Sequence, residues 1–159
     1  MAKILENPNL SKQEEHLTKG IRLTKKEKAN LPYIYQAKME EGVTGIHHIH
    51  PTIILDPRKG DILTLAHELG HHFLGHKGTP ENVALDVDHE IAAWVWAHRR
   101  TGKPSILGEN LIGILLRVEE DHPKSNILTI YNLARKSLKK HKAPKMWLKE
   151  LEQLGGEVE

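Results

Sequence analysis

Between residues 62 and 73 apolar side chains recur at helical spacing, Ile62, Leu65, Ala66, Leu69 and Phe73, and no other stretch constrains the chain as strongly. Such a pattern forms one stripe along a helix, and that stripe has to be covered by other parts of the molecule. The boundaries agree with it. Pro57 to Gly60 supply a turn, Asp61 is a reasonable N-cap and Gly75 a reasonable stop. Beside the stripe, where a helix is half buried, stand His67-Glu68-Leu69-Gly70-His71. Residues four apart share a helix face with Cβ atoms about 5–6 Å apart, so His67 and His71 can close on one ion. The chain has 12 histidines in 159 residues, so a bare H-E-x-x-H match carries little weight. Its place on an amphipathic helix is what gives it meaning.

The spacing has a chemistry. Zinc favours nitrogen ligands, and a reactive site holds it with three protein groups while a fourth position stays open for water. Glu68, one step round the helix, stands beside that position and can take the proton of a water already acidified by the metal. Cysteine is absent, which excludes disulfides and thiolate metal sites and leaves histidines and carboxylates as the available ligands.

The length fits a single domain with a core of its own. No apolar run approaches the roughly 18 residues that would span a bilayer. Met1 to Asn7 lack the apolar core of a signal peptide, so a cytoplasmic protein without a membrane partner is expected. The net charge of +2 argues neither for nor against nucleic acid.

Capping-box spacing at Ser11-Lys12-Gln13-Glu14 and Thr24-Lys25-Lys26-Glu27 predicts two short opening helices. Tyr33 to Ala37 is β-prone, Glu40-Glu41-Gly42 reads as a turn, Val43 to Ile49 as a second strand and Thr52 to Leu55 as a third, more buried one. After Gly78-Thr79-Pro80, helical patterns cover Glu81 to Arg100, Ile106 to Glu120, Ser125 to Lys140 and Lys145 to Leu154. The expected class is α+β: a small sheet of about three strands packed on the H-E-x-x-H helix, with further helices N- and C-terminal to it. Within one domain spanning 1–159, a core at about 30–103 would be followed by a helical part at 104–159.

Two histidines leave zinc one ligand short. His76 is out of register with the H-E-x-x-H-x-x-G-x-x-H pattern, where Leu74 and Lys77 occupy the Gly and His positions. Glu90 lies 19 residues after His71 at the start of an apolar helix, with small Ala93 and Ala97 on its face to allow close packing. Asp86, Asp88 and His89 are alternatives as ligands, or else solvated loop polars. Leu65-Ala66-His67-Glu68-Leu69-Gly70-His71-His72, the apolar strand before it, and Glu90-x-x-Ala93-x-x-Trp96-Ala97 resemble the ImmA/IrrE family of metallopeptidases over roughly residues 30 to 100. The resemblance implies a zincin-like fold, Zn2+ held by His67, His71 and Glu90, and Glu68 as general base. It also implies cleavage of a specific protein substrate, of the kind represented by helix-turn-helix transcriptional repressors. Trp96 stands where the family has Phe, and His98 to Pro104 replace its usual apolar continuation and Met-Pro. The alternative of another class is a non-catalytic, zinc-containing regulatory protein.

Other residues carry two readings each. Alternation points His48 and His50 to one strand face and His47 to the other, as transition-state or supporting groups at the cleft or as solvated edge residues. His89 and Tyr35 are candidates for the same supporting role, although Tyr33 and Tyr35 read first as core or rim packing residues. His72 is rotated off the His67–His71 face and reads as a hydrogen-bonded structural residue. Trp94 and Trp96 read as core or pocket lining. The stretch 135–149 holds seven Lys and Arg and no acidic residue, with Trp147 as its one aromatic. It reads as a solvated helix face rather than a nucleic-acid surface, and the oligomeric state is left open.

Overall fold

The computed structural model describes residues 18–36, 45–47, 52–55, 62–102 and 107–158. The expected helix at Ser11–Glu14, the turns at 40–42 and 57–60, the cap at Asp61 and the histidines His48 and His50 lie outside the described residues. In chain order the elements are α1 (Lys25–Ala29), β1 (Tyr33–Gln36), β2 (Gly45–His47), β3 (Thr52–Leu55), α2 (Ile62–Phe73), α3 (Val83–Thr101), α4 (Leu107–Asp121), α5 (Ile127–Lys140) and α6 (Lys145–Val158). Among the described residues no helix is long and apolar enough to cross a membrane.

The expected α+β class is corrected: the protein is almost entirely helical. Among the described residues helices reach 19 residues, whereas no strand exceeds four. The three strands pair in the order β1-β3-β2, with β1 parallel and β2 antiparallel to β3. That is an accessory to the helices, not half of a two-part architecture. β-prone composition locates a strand but does not say how much of the fold it will occupy. The apolar pattern after residue 80 keeps a helical period almost to the end of the chain, and those helices set the class.

The chain forms two compact units. The first comprises residues up to Gly78 together with Trp96–Lys103, and the second comprises Thr79–Val95 with Pro104–Glu159. The breaks between them fall at 78/79, within α3 at 95/96, and at 103/104. In the first unit α2 packs across β2 and β3. Its core joins Ile21, Ile34, Leu65, Ala66, Leu69 and Ala97, with Phe73 and Trp96 at the margin. Leu65, Ala66 and Leu69 of the expected stripe lie in this core, with Ile62 and Phe73 packed against it. α1 opens with the anticipated capping box: the Thr24 side chain accepts from the Glu27 amide, and Glu27 accepts from the Thr24 amide.

The second unit is built on Val87, Ile91 and Val95 of α3, Leu111, Ile114, Leu115 and Val118 of α4, Ile130, Ala134 and Leu138 of α5, and Trp147 and Leu151 of α6. These positions recur at three- and four-residue intervals, so each helix offers one apolar face to a shared interior. Asn126 caps α5 by accepting from the Thr129 amide. Trp147 is 1% exposed and belongs to this interior.

Candidate metal centre

α2 is buried all round its middle. Leu65 to His71 are seven consecutive buried residues, so His67, Glu68 and His71 are out of water together with the apolar stripe. Three titratable groups at 6–9% exposure are costly to bury, and folds retain such groups where they are bonded or used. The spacing resolves into geometry as expected: the two Nε2 atoms of His67 and His71 face each other at 3.2 Å, with the rings near perpendicular. Two nitrogens bound at about 2.0–2.1 Å in tetrahedral geometry lie roughly 3.3 Å apart, so this pair has the separation that a shared zinc requires.

A short turn beyond α2 fixes the second of these rings. Gly75 adopts φ +77°, its amide donates to the His72 carbonyl, and the His76 amide donates to the His71 carbonyl at 2.9 Å. This paired closure is the Schellman arrangement, and it folds the residue after the glycine back over the third-last residue of the helix. Here it brings His76 Nδ1 to 2.8 Å from His71 Nδ1. With Nδ1 of His71 engaged by His76, its Nε2 is directed toward His67, the orientation that a histidine ligand needs. Register had set His76 aside as a ligand, and its positioning role was missed. The clue was Gly75, a C-terminal glycine that forces the next residue back over the helix.

His72, rotated off the ligand face, bonds the Asn30 carbonyl through Nε2 at 3.1 Å. Phe73 stacks with Trp96 at a centroid separation of 5.8 Å, and the Arg100 guanidinium lies 4.7 Å above the Trp96 ring. Arg100 also donates to the Arg22 carbonyl and pairs with Glu27. Burial would raise the Glu27 pKa, but the hydrogen bonds from Arg100 and Thr24 and the Arg100 charge outweigh it and hold the carboxyl below its ordinary value. The last turns of α3 are therefore anchored beside α2 within the first unit.

Glu90 lies two turns before Ala97 on this same helix. One ligand atom from each of His67, His71 and Glu90 falls within 4.8 Å of the others, a donor set of two imidazole nitrogens and one carboxylate oxygen that suits zinc. Among the three alternatives for the third ligand, Asp86 and Asp88 are already engaged elsewhere. Asp86 is 2% exposed and accepts from Arg117 at 2.9 Å and pairs with His122 at 2.8 Å. Asp88 is bonded to Ser137, Lys140 and His141, whose influence outweighs burial and lowers its pKa. Both stand on α3, so the reading of Asp86 as a solvated loop residue is corrected. Its burial is compensated by Arg117 on α4 and by His122 just after that helix. His89 is half-buried on α3 and is not in the three-residue group. Tyr35 lies on β1 and His47 on β2.

Arg117 was not singled out from the sequence. It stands 3.5 Å from Glu90 and also pairs with Asp86 and Asp121. Burial would lower its pKa, but the surrounding carboxylates, Glu90 first, win and raise it. A cation on the outer side of a ligand carboxylate fixes the direction in which its oxygens point. The signal available in the sequence was a lone arginine in an apolar run of α4, between Leu116 and Val118.

Comparison of the chain with protein-family models, curated proteins and solved structures finds no match to any of them.

Proposed function

We propose that this chain is a zinc-dependent metalloendopeptidase of the ImmA/IrrE type, acting on a peptide bond in a specific protein substrate in the cytoplasm. The observation that carries the reading is the buried pair of facing Nε2 atoms on α2, with the Glu90 carboxylate in the same group and Glu68 buried between the two histidines in sequence. His67, His71 and Glu90 would hold the ion. Zinc, when bound, supplies a Lewis acid for the scissile carbonyl and lowers the pKa of an attacking water. Glu68 would be the general base that takes a proton from the attacking water and delivers it to the leaving amine nitrogen. His76 holds the His71 ring in its working orientation, and Arg117 does the same for the Glu90 carboxylate.

A structural ion would need a fourth ligand, Asp86 or His89; Asp86 is engaged by Arg117 and His122, and His89 is not in the three-residue group, which favours catalysis. The substrate class, a repressor of helix-turn-helix type, rests on the family resemblance alone. The test is Glu68→Gln, assayed on a candidate repressor substrate. Cleavage should fall by about 10²–10⁴-fold, the contribution of a general base, with zinc retained. Wild-type turnover in that variant would refute the mechanism.

A further inference from the structure

Outside the metal centre, the second unit carries an open groove of about 610 Å³. One wall is Asn82 and the start of α3, with Ala84, Leu85 and Asp88; the other is α5, with Leu133, Lys136, Ser137 and Lys140 at one-face spacing. Its size is within the range that takes a ligand or a short peptide. Leu85 is 47% exposed there, an aliphatic side chain left in water.

The α3 wall contributes one carboxylate, Asp88, which Ser137, Lys140 and His141 engage, while the stretch that holds the other wall is basic throughout. Seven cations occupy 135–149 with no acidic residue, although the chain holds only 23 Lys and Arg against 21 Asp and Glu, so its remainder is net acidic. Lys140 pairs with Asp88 and Arg135 with Glu152. Lys136, Lys139, Lys142, Lys145 and Lys149 are exposed and make no ion pair among the described residues. Two kinds of anionic partner compete for such a surface. Single-stranded nucleic acid needs an exposed aromatic platform for its bases, and the aromatic of this stretch, Trp147, is buried. Duplex DNA would have no use for an aliphatic floor. A peptide carrying both carboxylates and an aliphatic side chain uses the lysines and the floor together.

We propose that the α3–α5 groove docks an acidic segment of a partner protein, with an aliphatic side chain of the segment against Leu85 and Leu133 and a carboxylate on Lys136. This goes beyond the metal centre and does not depend on it. The groove uses no residue assigned to the ion.

The test is fluorescence anisotropy on the full chain with a short labelled peptide of Leu-Glu-Glu-Leu repeats. Its Gln-for-Glu analogue and a labelled DNA duplex are run alongside, at physiological salt. The acidic peptide should bind saturably and its neutral analogue about tenfold more weakly. Lys136→Glu should weaken binding about tenfold and Leu85→Ser several-fold, while Lys149→Glu, outside the groove, stays within about twofold. Each variant changes an exposed side chain, and circular dichroism checks its helix content. No binding of the acidic peptide would overturn the proposal. So would an equal loss in Lys149→Glu, which indicates diffuse attraction, or tighter binding of the duplex than of the peptide.

Discussion

α2 and the α5–α6 segment are both rich in basic side chains and treat them in opposite ways. On α2, His67 and His71 are buried with Glu68 in a helix that has little exposed surface through its middle. On α5 and α6 the lysines point into water and the apolar face lies beneath them. Exposed lysines cost the fold almost nothing, so their presence needs no function to explain it. Buried imidazoles and a carboxylate do need one, because each must be compensated for lost hydration. Burial, not charge, therefore separates the region where chemistry is expected from the region where partner binding is.

The comparison can be broken first at the core. Leu69→Ala removes a fully buried side chain next to Glu68 and should destabilise the chain by about 2–5 kcal/mol in chemical denaturation, whereas Lys139→Ala should stay within about 0.5 kcal/mol. Similar losses from the two would erase the distinction. His76→Gln comes next. If His76 positions His71, zinc affinity measured by competition with a chelator should fall about 10–100-fold, with little change in melting temperature. An unchanged affinity would reduce His76 to a helix-end residue.

The smallest effect tests the anchor of α3 beside α2. Glu27 has a folded pKa below its unfolded one, so its stabilisation is present above the unfolded value of 4.5 and disappears as pH falls through the folded value. Glu27→Gln should therefore cost about 1 kcal/mol near neutral pH, with the gap from wild type closing below that range. A gap that is independent of pH would mean that the Arg100 pairing contributes nothing.

What could be read from residues alone follows the range of the interactions. The α2 stripe, the Thr24–Glu27 box and the apolar faces of α4 to α6 are local patterns, and they appear where the spacing predicts them. His67 and His71 face each other because four residues make one helical turn and a little more. Ligand register excludes His76 from the ion, and its place over His71 depends on the positive φ of Gly75, which register does not encode. Arg117 and His122 are some 30 residues from Asp86, and no periodicity links them. The fold class failed for a different reason: β-prone composition was read as a sheet of architectural weight, and strand lengths of three or four residues give it little.

The most direct test of the central claim is the zinc content of the tag-free protein, wild type against Glu90→Ala, by elemental analysis after reconstitution, with melting temperature as the folding control. A His67-His71-Glu90 centre predicts one zinc per wild-type chain, lost or greatly weakened in a Glu90→Ala variant that still folds. Zinc bound equally by both would contradict Glu90 as the third ligand, and no zinc in the wild type would contradict the centre altogether.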